Sequence, residues 1–124
     1  MRYFIENAKE KGLELAIASS SSRNWVLGWI EKLELSNYFS AFVNRDDVEK
    51  IKPDPELFLT AAKSLGIHPS EALIFEDSEN GLKAATAAGI PCAIITNSIT
   101  AGGNFSEAII VAESFTDQRL KKLF

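Results

Sequence analysis

Three groups of polar residues in this chain have the types and spacing for phosphate chemistry. Glu76 and Asp77 are adjacent carboxylates at the end of an apolar run. Two such groups repel, and a hard cation such as Mg²⁺ relieves the repulsion by accepting their oxygens. Mg²⁺ takes only one or two protein carboxylates and completes its shell with water and phosphate. Lys52 precedes Pro53, which holds the lysine backbone extended and sends its side chain from a loop in a set direction. There it can act as a point charge for a phosphate or a developing oxyanion. Ser19 and Ser20 open the run Ser19-Ser20-Ser21-Ser22 behind another apolar run. Hydroxyls and backbone N–H groups in that setting cradle phosphate oxygens. Each group also has a plainer reading. Asp77 or Ser78 can cap the next helix, with Glu79 in its first turn. Lys52 can be a solvated lysine like Lys50, and Ser21 or Ser22 can cap the helix that starts near Arg23.

The elements that must position these residues follow from the apolar spacing. Tyr3, Phe4, Ile5 and Ala8 have helical spacing, and Lys11-Gly12 supplies a basic last turn and a terminal glycine. Residues 13–18 read as a strand covered on both faces. Residues 23–33 read as a helix with Trp25, Trp29 and Leu33 on one packing face. A brief strand is expected at 42–43, followed by the polar stretch 44–47. Pro53 and Pro55 suit the first turn of a third helix that turns Leu57, Phe58, Ala61, Ala62 and Leu65 inward and stops at Gly66. Strands are expected at 72–75, 92–96 and, weakly, 109–111. An alanine-rich helix is expected at 81–88, and a basic helix at 117–123. Strand and helix therefore alternate, which predicts an α/β fold: one domain over residues 1–124, a parallel sheet with right-handed crossovers and helices on both faces. Ligands of such sheets bind beyond the carboxyl ends of the strands. Residues 19–22, 44–47, 76–77 and Asn97 all fall there.

Composition narrows the function. A net charge of −4 with dispersed lysines argues against nucleic acid. No apolar run approaches the roughly 20 residues that span a bilayer, and the charged start is unlike a signal peptide. The single Cys92 cannot form an internal disulfide, which predicts a reducing, cytoplasmic setting and an inert core thiol. His68 lies in a turn with no partner ligand and is read as structural.

The motifs together resemble those of the haloacid dehalogenase-like (HAD) phosphohydrolases, in the subgroup similar to β-phosphoglucomutase and small sugar-phosphate phosphatases. Ile17-Ala18-Ser19 looks like the second family motif, whose hydroxyl binds the phosphoryl group. Lys52 in Ile51-Lys52-Pro53-Asp54-Pro55 looks like the lysine of the third. Ile74-Phe75-Glu76-Asp77-Ser78 looks like the metal-binding fourth. The resemblance covers nearly the whole chain. It implies a Rossmann-like core and a Mg²⁺-dependent reaction through an aspartyl-phosphate intermediate. Lys52 and Ser19 would be catalytic, Ser19, Ser20 and Lys52 would hold phosphate, and Asp77 and Glu76 would hold the metal.

One departure changes the expectation. The family's first motif, Asp-x-Asp-Gly-Thr, carries the nucleophile, and no Asp-x-Asp occurs here. Asp46-Asp47 is adjacent, and Asp54 is followed by Pro55-Glu56. The helical cap is missing as well, and Met1 stands about where the chain would return from it. The expectation is an incomplete core, the C-terminal part of a larger enzyme whose nucleophile lies outside these residues. Loss of a covalent nucleophile costs about 10⁶ in turnover, so the isolated chain is expected to be inactive. Its central first-motif strand would be absent. The strands before Ser19 and Glu76 would then lack their common neighbour, and the open edges would favour a dimer or a swapped assembly. The substrate would be a small phosphorylated metabolite, with phosphatase and phosphomutase both open. The rival readings are a phosphate-binding pseudoenzyme or oligomerising scaffold, and a receiver-type signalling domain, which would carry its acceptor aspartate on a different strand.

Overall fold

Short apolar stretches become parallel strands, half-buried for the most part and fully buried at 92–94, and the longer amphipathic stretches between them become the helices that cover them. In the computed structural model, which describes residues 2–123, the helices are α1 (Arg2–Glu10), α2 (Arg23–Lys32), α3 (Glu56–Ser64) and α4 (Glu79–Ala88). The strands are β1 (Ala16–Ala18), β2 (Ala41–Val43), β3 (Ile74–Glu76), β4 (Cys92–Ile95) and β5 (Ile110–Ala112). Met1, on which the expected return from the cap was placed, lies outside the described residues. All pairings are parallel. β1 pairs with β2 (Ile17 opposite Phe42), β3 with β4 (Phe75 opposite Ala93), and β4 with β5 (Ile94 opposite Val111).

The strands form two separate sheets, β1-β2 and β3-β4-β5. No ladder joins β1 to β3 among the described residues, in keeping with an absent strand between them. Alternation along each strand places side chains on both faces. Cys92 and Ile94 pack with Phe58, Leu82, Ala85 and Phe105, while Ala93 meets Phe4, Ala112 and Leu120. Phe4 lies edge-on to Phe75, with ring centroids 5.1 Å apart. Ile17 and Phe42 pack on Val26 and Ile30 of α2, and Ala16, Ala18 and Val43 pack on Leu57 and Ala61 of α3. Both faces are therefore covered, as the near-continuous apolar strands required.

Several local expectations are corrected. Trp25, Trp29 and Leu33 do share a face of α2, but it points outward, with the two indoles 58% and 46% exposed. The buried face is Val26 and Ile30. Each β-branched chain fills the shallow space over Ile17 and Phe42, and the larger indoles are left to pack on one another. Strand β1 starts at Ala16 rather than residue 13, because the chain leaves the turn at Gly12 with Leu13 exposed. Both Pro53 and Pro55 precede α3, with Pro55 at its N-cap position. The basic terminal segment is a 3-10 helix, Gln118–Lys122, rather than an α-helix. Neither Ser21 nor Ser22 caps α2 by its side chain; Asp46 accepts the Arg23 N–H instead, at 3.3 Å. Among the described residues no helix is long and apolar enough to cross a membrane.

Candidate active site

Lys52 is delivered by a braced loop. The Glu56 carboxylate, in the first turn of α3, accepts the backbone N–H groups of Glu49 at 3.1 Å and Lys50 at 2.8 Å. The Lys52–Pro53 bond is cis. The ammonium lies 5.0 Å from the centroid of the Phe58 ring and donates to Glu76 Oε2 at 2.6 Å. With these side chains only 13% and 11% exposed, the pair is largely shielded from water. A charge-assisted bond there is stronger than its surface counterpart, and losing either partner leaves the other charge uncompensated.

Glu76 is the last residue of β3, and its second oxygen is also engaged. Oε1 accepts the N–H of Asp77 at 3.1 Å and faces the Ser78 hydroxyl at 3.4 Å. Ser78 is the N-cap of α4, accepting the Gly81 N–H at 3.0 Å, so the capping reading holds for serine. Gly81 is needed for a packing reason. A Cβ there would stand 2.0 Å from Cγ of Glu76, so only glycine admits the glutamate side chain beneath the helix start. Asp77 is exposed, and its Oδ2 accepts Nδ2 of Asn97 at 3.2 Å.

Ser19 stands one step beyond β1 and extends the ladder, its N–H donating to Val43 O at 2.9 Å. Its Oγ accepts the Ser21 N–H at 3.1 Å, which leaves the hydroxyl proton available to donate. The structure thus gathers Lys52, Glu76, Asp77, Ser78 and Asn97 into one bonded cluster. Ser19 and Ser20 follow β1, at the carboxyl end of the other sheet, without a hydrogen bond to that cluster among the described residues. The Asp46-Asp47 pair has structural duties. Asp47 accepts the Asn44 N–H and an Arg23 guanidinium N–H, and these hold its carboxyl below the usual range. His68 caps a 3-10 turn through Nδ1. Burial in the core pushes the Cys92 thiol up to about 12, Glu76 adding to the shift and Lys52 opposing it.

Two contributors were not assigned from sequence. Asn97 was placed only at a strand end, and Gly81 only within a helix. The Asn-Gly pair in the first turn of α4 was the available signal for Gly81, since a glycine costs helix stability unless its missing side chain is needed.

A family model described as haloacid dehalogenase-like hydrolase matches residues 1–95. The chain belongs to this family. This haloacid dehalogenase-like chain is 42% identical to YhcW of Bacillus subtilis (strain 168) over 120 residues, 97% of this chain and 54% of that protein. It is 38% identical to the phosphorylated carbohydrates phosphatase of Thermotoga maritima over 90 residues, 73% of this chain and 42% of that protein. Its fold superposes with a TM-score of 0.89 on CbbY from Rhodobacter sphaeroides in complex with phosphate, at 29% identity, covering 94% of this chain and 53% of that one. The chain therefore spans about half the length of the relatives it matches.

The family implies a divalent metal, and the fit of this haloacid dehalogenase-like site to one is partial. Among the described residues no three His, Cys, Asp or Glu side chains come together. Both oxygens of Glu76 are engaged, so Glu76 is a brace for Lys52 at least as much as a donor to a cation. Asp77 keeps Oδ1 without a hydrogen bond among the described residues. One outward hard oxygen suits one corner of an octahedral Mg²⁺ shell, with the other corners filled by water, phosphate and oxygens from elsewhere.

Proposed function

We propose that this chain is the C-terminal, phosphate- and metal-holding part of a Mg²⁺-dependent phosphohydrolase acting on a small phosphorylated metabolite, a sugar phosphate by preference. The observation that carries the reading is the Lys52–Glu76 pair with Asp77 beside it, at the carboxyl ends of parallel strands. Lys52, steadied by Glu76 and Phe58, presents its remaining N–H donors to phosphoryl oxygens. Ser19 offers its hydroxyl proton and Ser20 its backbone N–H from the end of β1. Asp77 is the metal ligand of this segment, with Glu76 next to it. A bound Mg²⁺ would neutralise phosphoryl charge and orient the group for in-line attack. The attacking carboxylate, which would form the aspartyl-phosphate, lies outside these 124 residues. The sugar-phosphate preference is supported by the name of the Thermotoga relative.

We further propose a cytoplasmic setting, supported by the one buried thiol, with no nucleic-acid or membrane partner. The open edges of β1 and β3 support self-association, as a dimer or a swapped assembly.

The test has two arms. The pure chain should hydrolyse an aryl phosphate with Mg²⁺ no faster than its Asp77→Asn variant. Inorganic phosphate with Mg²⁺ should shift the backbone amides of Ser19, Ser20 and Lys52 in NMR spectra. Turnover above the variant would place a nucleophile within the chain and overturn the fragment reading. Unmoved amides would overturn the phosphate assignment.

A further inference from the structure

Asn97 begins the segment that follows β4, and its side chain is held on every side. Oδ1 accepts the backbone N–H groups of Ile99 at 2.8 Å and Thr100 at 3.0 Å. Accepting two N–H groups fixes which end of the amide is oxygen, so the nitrogen must face Asp77, where Nδ2 donates to Oδ2 at 3.2 Å. The Asn97 backbone closes the same turn: its N–H donates to Thr100 Oγ1 at 3.1 Å, and its carbonyl accepts the Ala101 N–H at 3.0 Å. At the far end of the segment, the Asn104 N–H donates to Glu79 Oε1 at 3.0 Å. The loop is thereby clamped at both ends to the residues that follow β3, through Asp77 and through Glu79. It forms one wall of an open cleft of about 520 Å³ whose other wall is the start of α4, with Ser78 and Glu79 facing Thr100, Gly103 and Phe105. Ile99 stands 91% exposed on its rim.

We infer that Asn97 is a positioning residue that aims the Asp77 carboxylate at a divalent cation and ties the order of the 97–104 loop to cation binding. The inference rests on the assignment of Asp77 as metal ligand made above. A neutral amide donor on Oδ2 fixes the rotation of the carboxylate and leaves Oδ1 free of a hydrogen bond among the described residues, as partners behind a metal ligand do elsewhere. The coupling is reciprocal. If the cation holds Asp77 in the orientation Asn97 prefers, binding steadies the Ile99 and Thr100 turn by the same free energy that the turn lends to binding.

Magnesium titration of the whole chain, followed through backbone and side-chain amide shifts, tests this directly. The Asp77, Asn97 Nδ2, Ile99 and Thr100 signals should move together on one saturation curve, and Asp77→Asn should abolish the response. Asn97→Ala should weaken Mg²⁺ binding about 10-fold. Asn97→Asp separates positioning from loop support, because its carboxylate still accepts the Ile99 and Thr100 N–H groups while it turns a negative oxygen toward Asp77. It should bind Mg²⁺ several-fold more tightly, since added ligand charge raises affinity. A purely structural Asn97 predicts wild-type affinity for Asn97→Ala, and the charge alone then raises affinity in Asn97→Asp without moving the Ile99 and Thr100 signals. Movement of Asp77 alone, with Asn97→Ala at wild-type affinity, would overturn the inference and leave the metal assignment standing. No movement of Asp77 in the wild-type chain would overturn the metal assignment and this inference with it.

Discussion

Glu76 binds the Lys52 ammonium on one oxygen and faces two donors on the other, and it does so in space that only a glycine at position 81 leaves open. Two consequences can be measured. Glu76→Gln keeps the shape but removes the charge opposite a shielded ammonium, and should lower stability by about 2 kcal/mol, the scale of a hydrogen bond to a charged group. Gly81→Ala forces its Cβ into the glutamate side chain and should cost about 1–3 kcal/mol by overpacking. The two are not independent. In a Glu76→Ala background, Gly81→Ala should cost much less, and equal costs in urea titrations of both backgrounds would show that the contact is not the cause. Cys92 gives a pH signature. Its folded thiol titrates near 12 against an ordinary value of 9.0, so the unfolded chain loses that proton first as pH rises. This term is at full strength below about pH 9 and falls progressively between about 9 and 12. Cys92→Ala should flatten that part of the stability profile, and the native thiol should resist alkylation at pH 8. Rapid native labelling would contradict its burial.

At the scale of elements, α2 shows why apolar spacing identifies a helix more surely than the face it buries. Two stripes run along it, Trp25-Trp29-Leu33 and Val26-Ile30, one residue apart. Either could have been the inner one by periodicity alone. The second is the one that meets Ile17 and Phe42 of β1 and β2. Ile30→Ala should therefore cost about 2–4 kcal/mol through the cavity it leaves. Trp25→Ala should cost less than about 1 kcal/mol, because it loses mainly its contact with Trp29. The reverse order of denaturation midpoints would contradict the observed packing. Helix α4 ends where it was expected to and begins two residues before the expected position 81, at Glu79. Its serine cap, alanine-rich body and left-handed Gly89 at φ +72° all agree on its limits.

For the molecule as a whole, the division into β1-β2 and β3-β4-β5 is the dominant fact. The two sheets are tied by packing of Ala18 against the Leu82–Ile94 cluster and by the Lys52–Glu76 pair rather than by backbone ladders. Unpaired parallel edges are templates for another chain. Light scattering should show the mean mass rising with concentration, and a strictly monomeric chain across a hundredfold range would sink the self-association proposal. Because the ion pair is one of the ties between the sheets, beside the packing of α1 and α3 on both, the Glu76→Gln variant should also broaden the unfolding transition. A transition as sharp as the wild type would show that side-chain packing alone couples them.

Strand–helix alternation, the parallel α/β class, the placing of Lys52 and Glu76-Asp77 near one another at a strand end, and the lack of an Asp-x-Asp pair were all legible in the linear chain, whereas the structure leaves Ser19 outside their bonded cluster. Each depends on local spacing or on a rule of sheet topology, and local patterns carry that information. Tertiary structure alone decided which partners the site residues take. That Lys52 spends one donor on Glu76, that Asn97 grips Asp77, and that Gly81 makes room for Glu76 are contacts between residues 24, 20 and 5 positions apart. Spacing along the chain cannot encode them, because they arise only when separate strand ends and a helix start converge at one edge.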